Sequence, residues 1–146
     1  MSRRTMLMVA GLALSAALGA AATEPAPFKL IVNAKAGGRT IARDAVAQAY
    51  LGKAQRWGDG NPIVAVDLSS TSPVRQAFSE AVLSMSVEGV KNHWLRLVMS
   101  GERRPPVTKR SDQDVIAFVA AERGGIGYVS EATPLPDTVR AIAIQQ

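Results

Sequence analysis

Two periodicities of apolar residues alternate along this chain and divide it into short elements. Phe28-Lys29-Leu30-Ile31-Val32 is a β-branched, apolar run that reads as a strand, and Asn33 to Arg39, with Gly37-Gly38, reads as a loop. Thr40 stands where it can cap a helix to about Leu51. Ile41, Ala45, Val46, Ala49 and Tyr50 fall at helical spacing there, and Gly52 ends the run. Trp57 to Pro62 is dense turn chemistry, followed by a second strand at Ile63 to Val66. A helix is expected from Pro73 to about Leu83. Ser86 caps the next one, whose apolar side is Val87, Val90, Trp94, Leu95, Leu97 and Val98, and Gly101 stops it. Glu102-Arg103-Arg104-Pro105-Pro106 reads as an exposed charged turn. Ser111 with Asp114 forms a near capping box for a helix from Asp112 to about Glu122. Gly124-Gly125 leads into a strand at Ile126 to Val129, and Val139 to Ile144 reads as a last strand. Strands alternating with helices predict an α/β layer structure, a small sheet flanked by helices. Four strands and four helices make about one lobe of a two-lobed protein.

The first residues follow a different pattern. Arg3 and Arg4 form a basic head, Met6 to Leu18 is apolar, and Gly19-Ala20-Ala21-Ala22 supplies small residues. This is the layout of a secretory signal peptide over residues 1–22, with cleavage after Ala22. Ser2 to Leu7 also has the look of a loose twin-arginine signal, and general secretion is the expected route. The apolar run is shorter than the roughly 20 residues that span a bilayer. Nothing after Thr23 is long and apolar enough to do so, and the processed chain is expected not to span a membrane.

Charge and composition then narrow the classes. Removing residues 1–22 leaves 124 residues, with 15 basic against 12 acidic side chains and a net charge of +3 in place of +5. That is one domain, residues 23–146, with a modest basicity that suits a small anion or an acidic partner and does not argue for nucleic acid. Cysteine is absent, so an exported chain of this kind relies on its core. A chain of this length can bury roughly two-thirds of its unfolded surface.

The most informative stretch is Val66 to Phe78. Four consecutive hydroxyl residues, Ser69, Ser70, Thr71 and Ser72, precede Pro73 and an amphipathic run. Ser72 fits the N-cap and Pro73 the first helical position, where the missing N–H costs nothing. The outcome is a helix start ringed by hydroxyls, with Arg75 in its first turn. It reads either as an ordinary capped helix start or as an oxyanion cradle. As a cradle, Ser70, Thr71 and Ser72 supply hydroxyls, Val74 and Arg75 supply backbone N–H groups, and the Arg75 guanidinium is the charge partner.

Three segments in register resemble the phosphate-type periplasmic solute-binding proteins. Ala49-Tyr50-Leu51-Gly52-Lys53 with Arg56-Trp57-Gly58-Asp59-Gly60 is similar to that family's "FLGK…W.DG" stretch. Ser72 to Phe78 is similar to its Ser/Gly/Thr-to-helix anion loop, and Gly124-Gly125-Ile126-Gly127-Tyr128-Val129 to its "GAIGYV" strand. The resemblance runs from about Phe28 to Ile144. It implies a single lobe of the type II periplasmic-binding-protein fold, a non-catalytic protein that binds a small phosphate-like oxyanion for an ABC transporter, and a periplasmic location. Two positions depart from the family. Leu68, beside Asp67, stands where the full-length proteins carry an arginine, and Ser72-Pro73-Val74 stands where they carry Ser-Gly-Thr. These departures and the missing lobe keep other readings open: a protein-interaction module of the cell envelope that no longer binds phosphate, or a homodimer that rebuilds a clamshell.

Other residues point to bland roles. His93, the single histidine, sits beside Trp94 on a helix and reads as packing or surface. No cysteine, HExxH or clustered-carboxylate spacing marks a metal site, and no G-x-S-x-G elbow marks a nucleophile. No cofactor and no catalytic residue is expected. Gly37-Gly38-Arg39 lacks the lysine of a nucleotide cradle. Arg103, Arg104, Lys109 and Arg110 form a basic cluster that reads as a solvated loop, with an acidic partner as the alternative. Trp57 and Trp94 are expected in the core, and Tyr128 near the edge of a cleft.

Overall fold

A computed structural model describes residues 27–146; the signal-peptide segment and its cleavage after Ala22 lie outside the described residues. The strands are β1 (Phe28–Asn33), β2 (Thr40–Ala42), β3 (Val64–Leu68), β4 (Val107–Lys109), β5 (Gly125–Ser130) and β6 (Val139–Gln145). The helices are α1 (Arg43–Tyr50), α2 (Pro73–Phe78), α3 (Val87–Met99) and α4 (Asp112–Ala121), and α2 runs on into a π-helical turn, Ser79–Leu83.

The strands form one mixed sheet in the order β2-β6-β1-β5-β3-β4. β1 is antiparallel to both of its neighbours, pairing Leu30 with Tyr128 of β5 and with Ile142 of β6. β3 runs parallel to β5 and to β4, and β2 parallel to β6. The C-terminal ends of β3 and β5 therefore point the same way, and the Ser/Thr loop leaves the sheet at that end.

α4 covers one face. Gly127 lets it approach closely: a Cβ there would lie 2.7 Å from Val115 Cγ1 and 2.9 Å from Val66 Cγ1. Asn33 at the end of β1 donates its amide to the carbonyls of Val119 and Ala120, at 3.0 and 3.1 Å. It thereby satisfies acceptors that the last turn of a helix leaves open. α1 and α2 lie on the other face over an aromatic cluster. The rings of Phe78 and Tyr128 stack with centroids 3.9 Å apart and planes within 8°, and Tyr50 meets Phe78 edge-on at 4.8 Å. Such pairs each add about 0.5–1.5 kcal/mol beyond their buried area. α3 packs outside α1, with Trp94 Nε1 donating to the Tyr50 carbonyl at 3.2 Å.

Three expectations are corrected. Thr40 does not cap a helix: Thr40–Ala42 is an edge strand paired with Ala143 to Gln145, and α1 starts at Arg43 behind Ala42, without a side-chain cap. β4 pairs Val107 with Val66 and was not foreseen either, so with β2 and β4 the sheet has six strands rather than four. Leu95 and Val98, expected on the packed side of α3, are 55% and 48% exposed, beside Met99 at 80%. Elsewhere the local signals hold. Ser72, Ser86 and Ser111 each cap their helix by accepting from a backbone N–H three residues on, and Gly52 and Gly101 take positive φ where the chain turns.

Candidate functional site

β3 delivers Asp67 and Leu68 to the end of the sheet, and the chain then turns through Ser69-Ser70-Thr71 into α2. Ser69 N donates to the Lys109 carbonyl and Ser72 N to the Ser69 carbonyl, both at 2.9 Å, which closes the turn. Ser69 and Thr71 hydroxyls bond each other at 3.2 Å, and Ser70 and Thr71 are exposed. Ser72 Oγ accepts from Arg75 N at 3.3 Å. The Arg75 N–H is therefore taken by the cap. The Val74 N–H remains in the first turn, where the helix itself supplies no acceptor.

The Arg75 guanidinium does not extend over this loop. It turns inward, donates Nη1 to the Leu68 carbonyl at 2.8 Å, and places Nη2 3.7 Å from Asp67 Oδ2. Asp67 is buried and receives the Tyr128 hydroxyl on Oδ1 at 2.6 Å. That same hydroxyl accepts from Leu68 N at 3.2 Å. Burial raises the Asp67 carboxyl above its ordinary value, opposed by the charge of Arg75 and the Tyr128 hydrogen bond. Burial and the neighbouring carboxylate likewise push the Tyr128 phenol up, so it stays a donor at every relevant pH. Tyr128, expected near a cleft edge, is fully buried beneath Asp67.

A groove of about 430 Å³ opens beside this network. Ser69, Ser70 and Arg75 line one wall, Glu88 and Lys91 of α3 another, and Pro105-Pro106 a third. The sequence reading missed Glu88, Lys91 and the proline wall. Glu88 and Lys91 lie three apart on one helix face, and that spacing was the available signal. The lining thus carries two cations, Arg75 and Lys91, and two carboxylates, Asp67 and Glu88, of which Arg75 and Asp67 lie 3.7 Å apart. Such a lining suits an oxyanion that still carries a proton better than a fully ionised one.

The remaining candidates fall elsewhere. His93 Nε2 lies 2.8 Å from the Leu51 carbonyl and its ring meets Trp94 edge-on, a packing role. The Gly37-Gly38 loop turns its carbonyls, with that of Ala36, onto Arg140 Nη2, at 2.6 to 3.2 Å. Such a loop presents acceptors, not the donors a phosphate needs. In the basic cluster, Arg103 Nε donates to the Gly52 carbonyl at 2.8 Å and Lys109 Nζ lies 5.6 Å from the centre of the Phe118 ring. Trp94 is buried, whereas Trp57 is half-buried and donates Nε1 to the Gly124 carbonyl at 2.9 Å. Among the described residues no cluster of His, Cys, Asp and Glu could hold a metal ion, and no helix is long and apolar enough to cross a membrane.

No protein-family model matches the sequence, and no curated protein does. Solved structures do match in fold. An ABC-type phosphate transport receptor from Vibrio cholerae superposes with a TM-score of 0.63 at 15% identity, over 82% of this chain and 46% of that one. A phosphate ABC transporter substrate-binding protein from Clostridium perfringens, solved with bound phosphate, gives 0.65 at 20%, over 82% and 45%. PstS from Borrelia burgdorferi gives 0.64 at 13%, over 83% and 48%. The chain spans less than half the length of each. The fold is therefore α/β, a single lobe of the periplasmic-binding-protein type, as the resemblance implied.

Proposed function

We propose that this chain is a non-catalytic, exported binding lobe for a small phosphate-like oxyanion, held where β3 runs into α2. The observation that carries the reading is the groove in which Ser69, Ser70 and Lys91 stand beside the Arg75–Asp67 pair, on a fold shared with phosphate-binding transport proteins. In this reading Ser69 and Ser70 supply hydroxyls to the anion and Lys91 the mobile charge, whereas Thr71, Ser72 and Val74, expected in the cradle from sequence, do not line the groove, and Ser72 Oγ is taken by the helix cap. Arg75 contributes through its position beside Asp67, as part of the rigid floor. The same likeness supports, as part of this proposal, a periplasmic location and service to an ABC transporter.

Thermal unfolding with millimolar phosphate or sulfate tests the reading. Phosphate is expected to raise the melting temperature, and sulfate, which carries no proton at neutral pH, to raise it less. Lys91→Gln with Ser70→Ala should abolish the shift without lowering the starting temperature, because both side chains are exposed. An equal shift in that variant, or none in the parent chain, contradicts it.

A second reading has its own observation. Leu95, Val98 and Met99 form an exposed apolar stripe on α3, and Val107 of the edge strand β4 is also exposed. An apolar face of this kind favours a protein partner in the cell envelope, or a second copy of the lobe. Co-purification with a partner, or a dimer by light scattering that Leu95→Ser with Met99→Ser dissolves, supports it. A monomer recovered alone counts against it.

A further inference from the structure

A second cavity, of about 250 Å³, lies at the opposite end of the sheet from the Ser/Thr loop. It opens beside Gly125, the first residue of β5, whereas the oxyanion groove adjoins the last residues of β3, which runs parallel to β5. Its walls are Val32 of β1, Ile41 of β2, Ile142 of β6 and the ring of Trp57. Its polar side chains are Thr40 and, exposed at its rim, two of opposite charge, Asp59 and Arg123.

Three features of this cavity bear on a ligand. First, size: an apolar cavity of about 150 Å³ holds a benzene molecule, so this one takes a body of that size together with a small polar head. It is smaller than the roughly 300 Å³ and upward typical of drug-sized sites. Second, the walls come from separate elements fixed in the sheet and from a tryptophan pinned by its bond to the Gly124 carbonyl at 2.9 Å. The pocket is thus formed in advance, and little ordering is left for binding to pay. Third, the charges are held apart. Asp59 is oriented by Asn61, whose backbone N and Nδ2 each donate to it at 2.9 Å, and those bonds keep its carboxyl below the ordinary range. Arg123 influences Asp59 electrostatically, yet the two do not close to a 4.0 Å ion pair, and among the described residues Arg123 makes no side-chain hydrogen bond.

We propose that this cavity binds a small zwitterion with an apolar body, of the class of the apolar α-amino acids. The carboxylate lies on Arg123, the ammonium on Asp59, and the side chain against Val32, Ile41, Trp57 and Ile142. A purely apolar molecule would leave both charges without use, and an apolar acid or amine would satisfy one of them and face the other.

The test uses the ¹⁵N-labelled chain, whose two tryptophans give two indole N–H resonances. Titration with L-leucine or L-phenylalanine should shift the Trp57 resonance saturably and leave that of Trp94 in place. The corresponding carboxylic acid without its amine, and the amine without its carboxylate, should each bind about two- to fivefold more weakly, the loss of one solvent-exposed charge contact. Arg123→Gln should weaken leucine and the acid alike, and Asp59→Asn should weaken leucine and the amine. Phosphate added alongside should not displace the ligand. The proposal fails if Trp57 does not respond up to the solubility of leucine, if both variants bind as well as the parent chain, or if phosphate competes.

Discussion

The Tyr128 hydroxyl donates to Asp67 Oδ1 at 2.6 Å while accepting from Leu68 N at 3.2 Å, so one phenol holds both a buried carboxylate and the last backbone donor of β3. Residues 61 apart in sequence meet here, beneath the loop to which the oxyanion reading assigns the ligand. The floor of that loop is set by this contact and by Arg75, which closes the Asp67 charge from the other side.

Tyr128→Phe keeps the ring stacked on Phe78 and removes the hydroxyl alone. Two buried polar groups then lose a partner, at about 1–3 kcal/mol each, and a total loss of about 2–6 kcal/mol is expected. Urea unfolding measures it. A loss under about 0.5 kcal/mol would mean that water replaces the hydroxyl and the floor is open.

Asp67 makes stability depend on pH with a definite sign. Its folded carboxyl titrates above its unfolded value because burial disfavours the charge. Its contribution is therefore fully present below about pH 4 and is lost as pH rises through the folded value. Subtracting the melting curve of Asp67→Asn from that of the parent chain isolates this group. The difference should move against the parent chain as pH rises from 4; the opposite slope would show that Arg75 and Tyr128 outweigh burial.

Gly124 and Gly37 separate a required glycine from a tolerant one. A Cβ at Gly124 would sit 1.8 Å from the Pro62 carbonyl oxygen, a backbone atom that cannot swing aside, whereas a Cβ at Gly37 meets nothing within 4 Å. Gly124→Ala is expected to cost about 3 kcal/mol or more and Gly37→Ala less than about 0.5 kcal/mol, by chemical denaturation. Equal effects would remove the close approach between the 57–62 turn and the start of β5.

Three of the four helix starts were legible because capping is local, whereas α1 starts at Arg43 without a side-chain cap. Ser72, Ser86 and Ser111 each act on an N–H three residues away, and Pro73 restricts its own backbone. The Ile126 to Val129 strand was legible as an apolar run. β2 and β4 were not, since three residues carry no period and each exists through a parallel partner far along the chain, β6 and β3. The hydroxyl loop was visible in sequence, but the direction of the Arg75 side chain was not. It is decided by a buried carboxylate eight residues earlier and by the Leu68 carbonyl, neither of which a spacing rule reveals. Lys91 and Glu88 reach the groove only because α3 packs back over α1.

Calorimetric titration of the purified chain with phosphate tests the oxyanion reading most directly, run beside the Ser70→Ala, Lys91→Gln double variant. Saturable binding that weakens about tenfold or more in the variant, with its unfolding temperature unchanged, is the predicted result. No heat of binding in the parent chain, or equal affinity in the two, would contradict the reading.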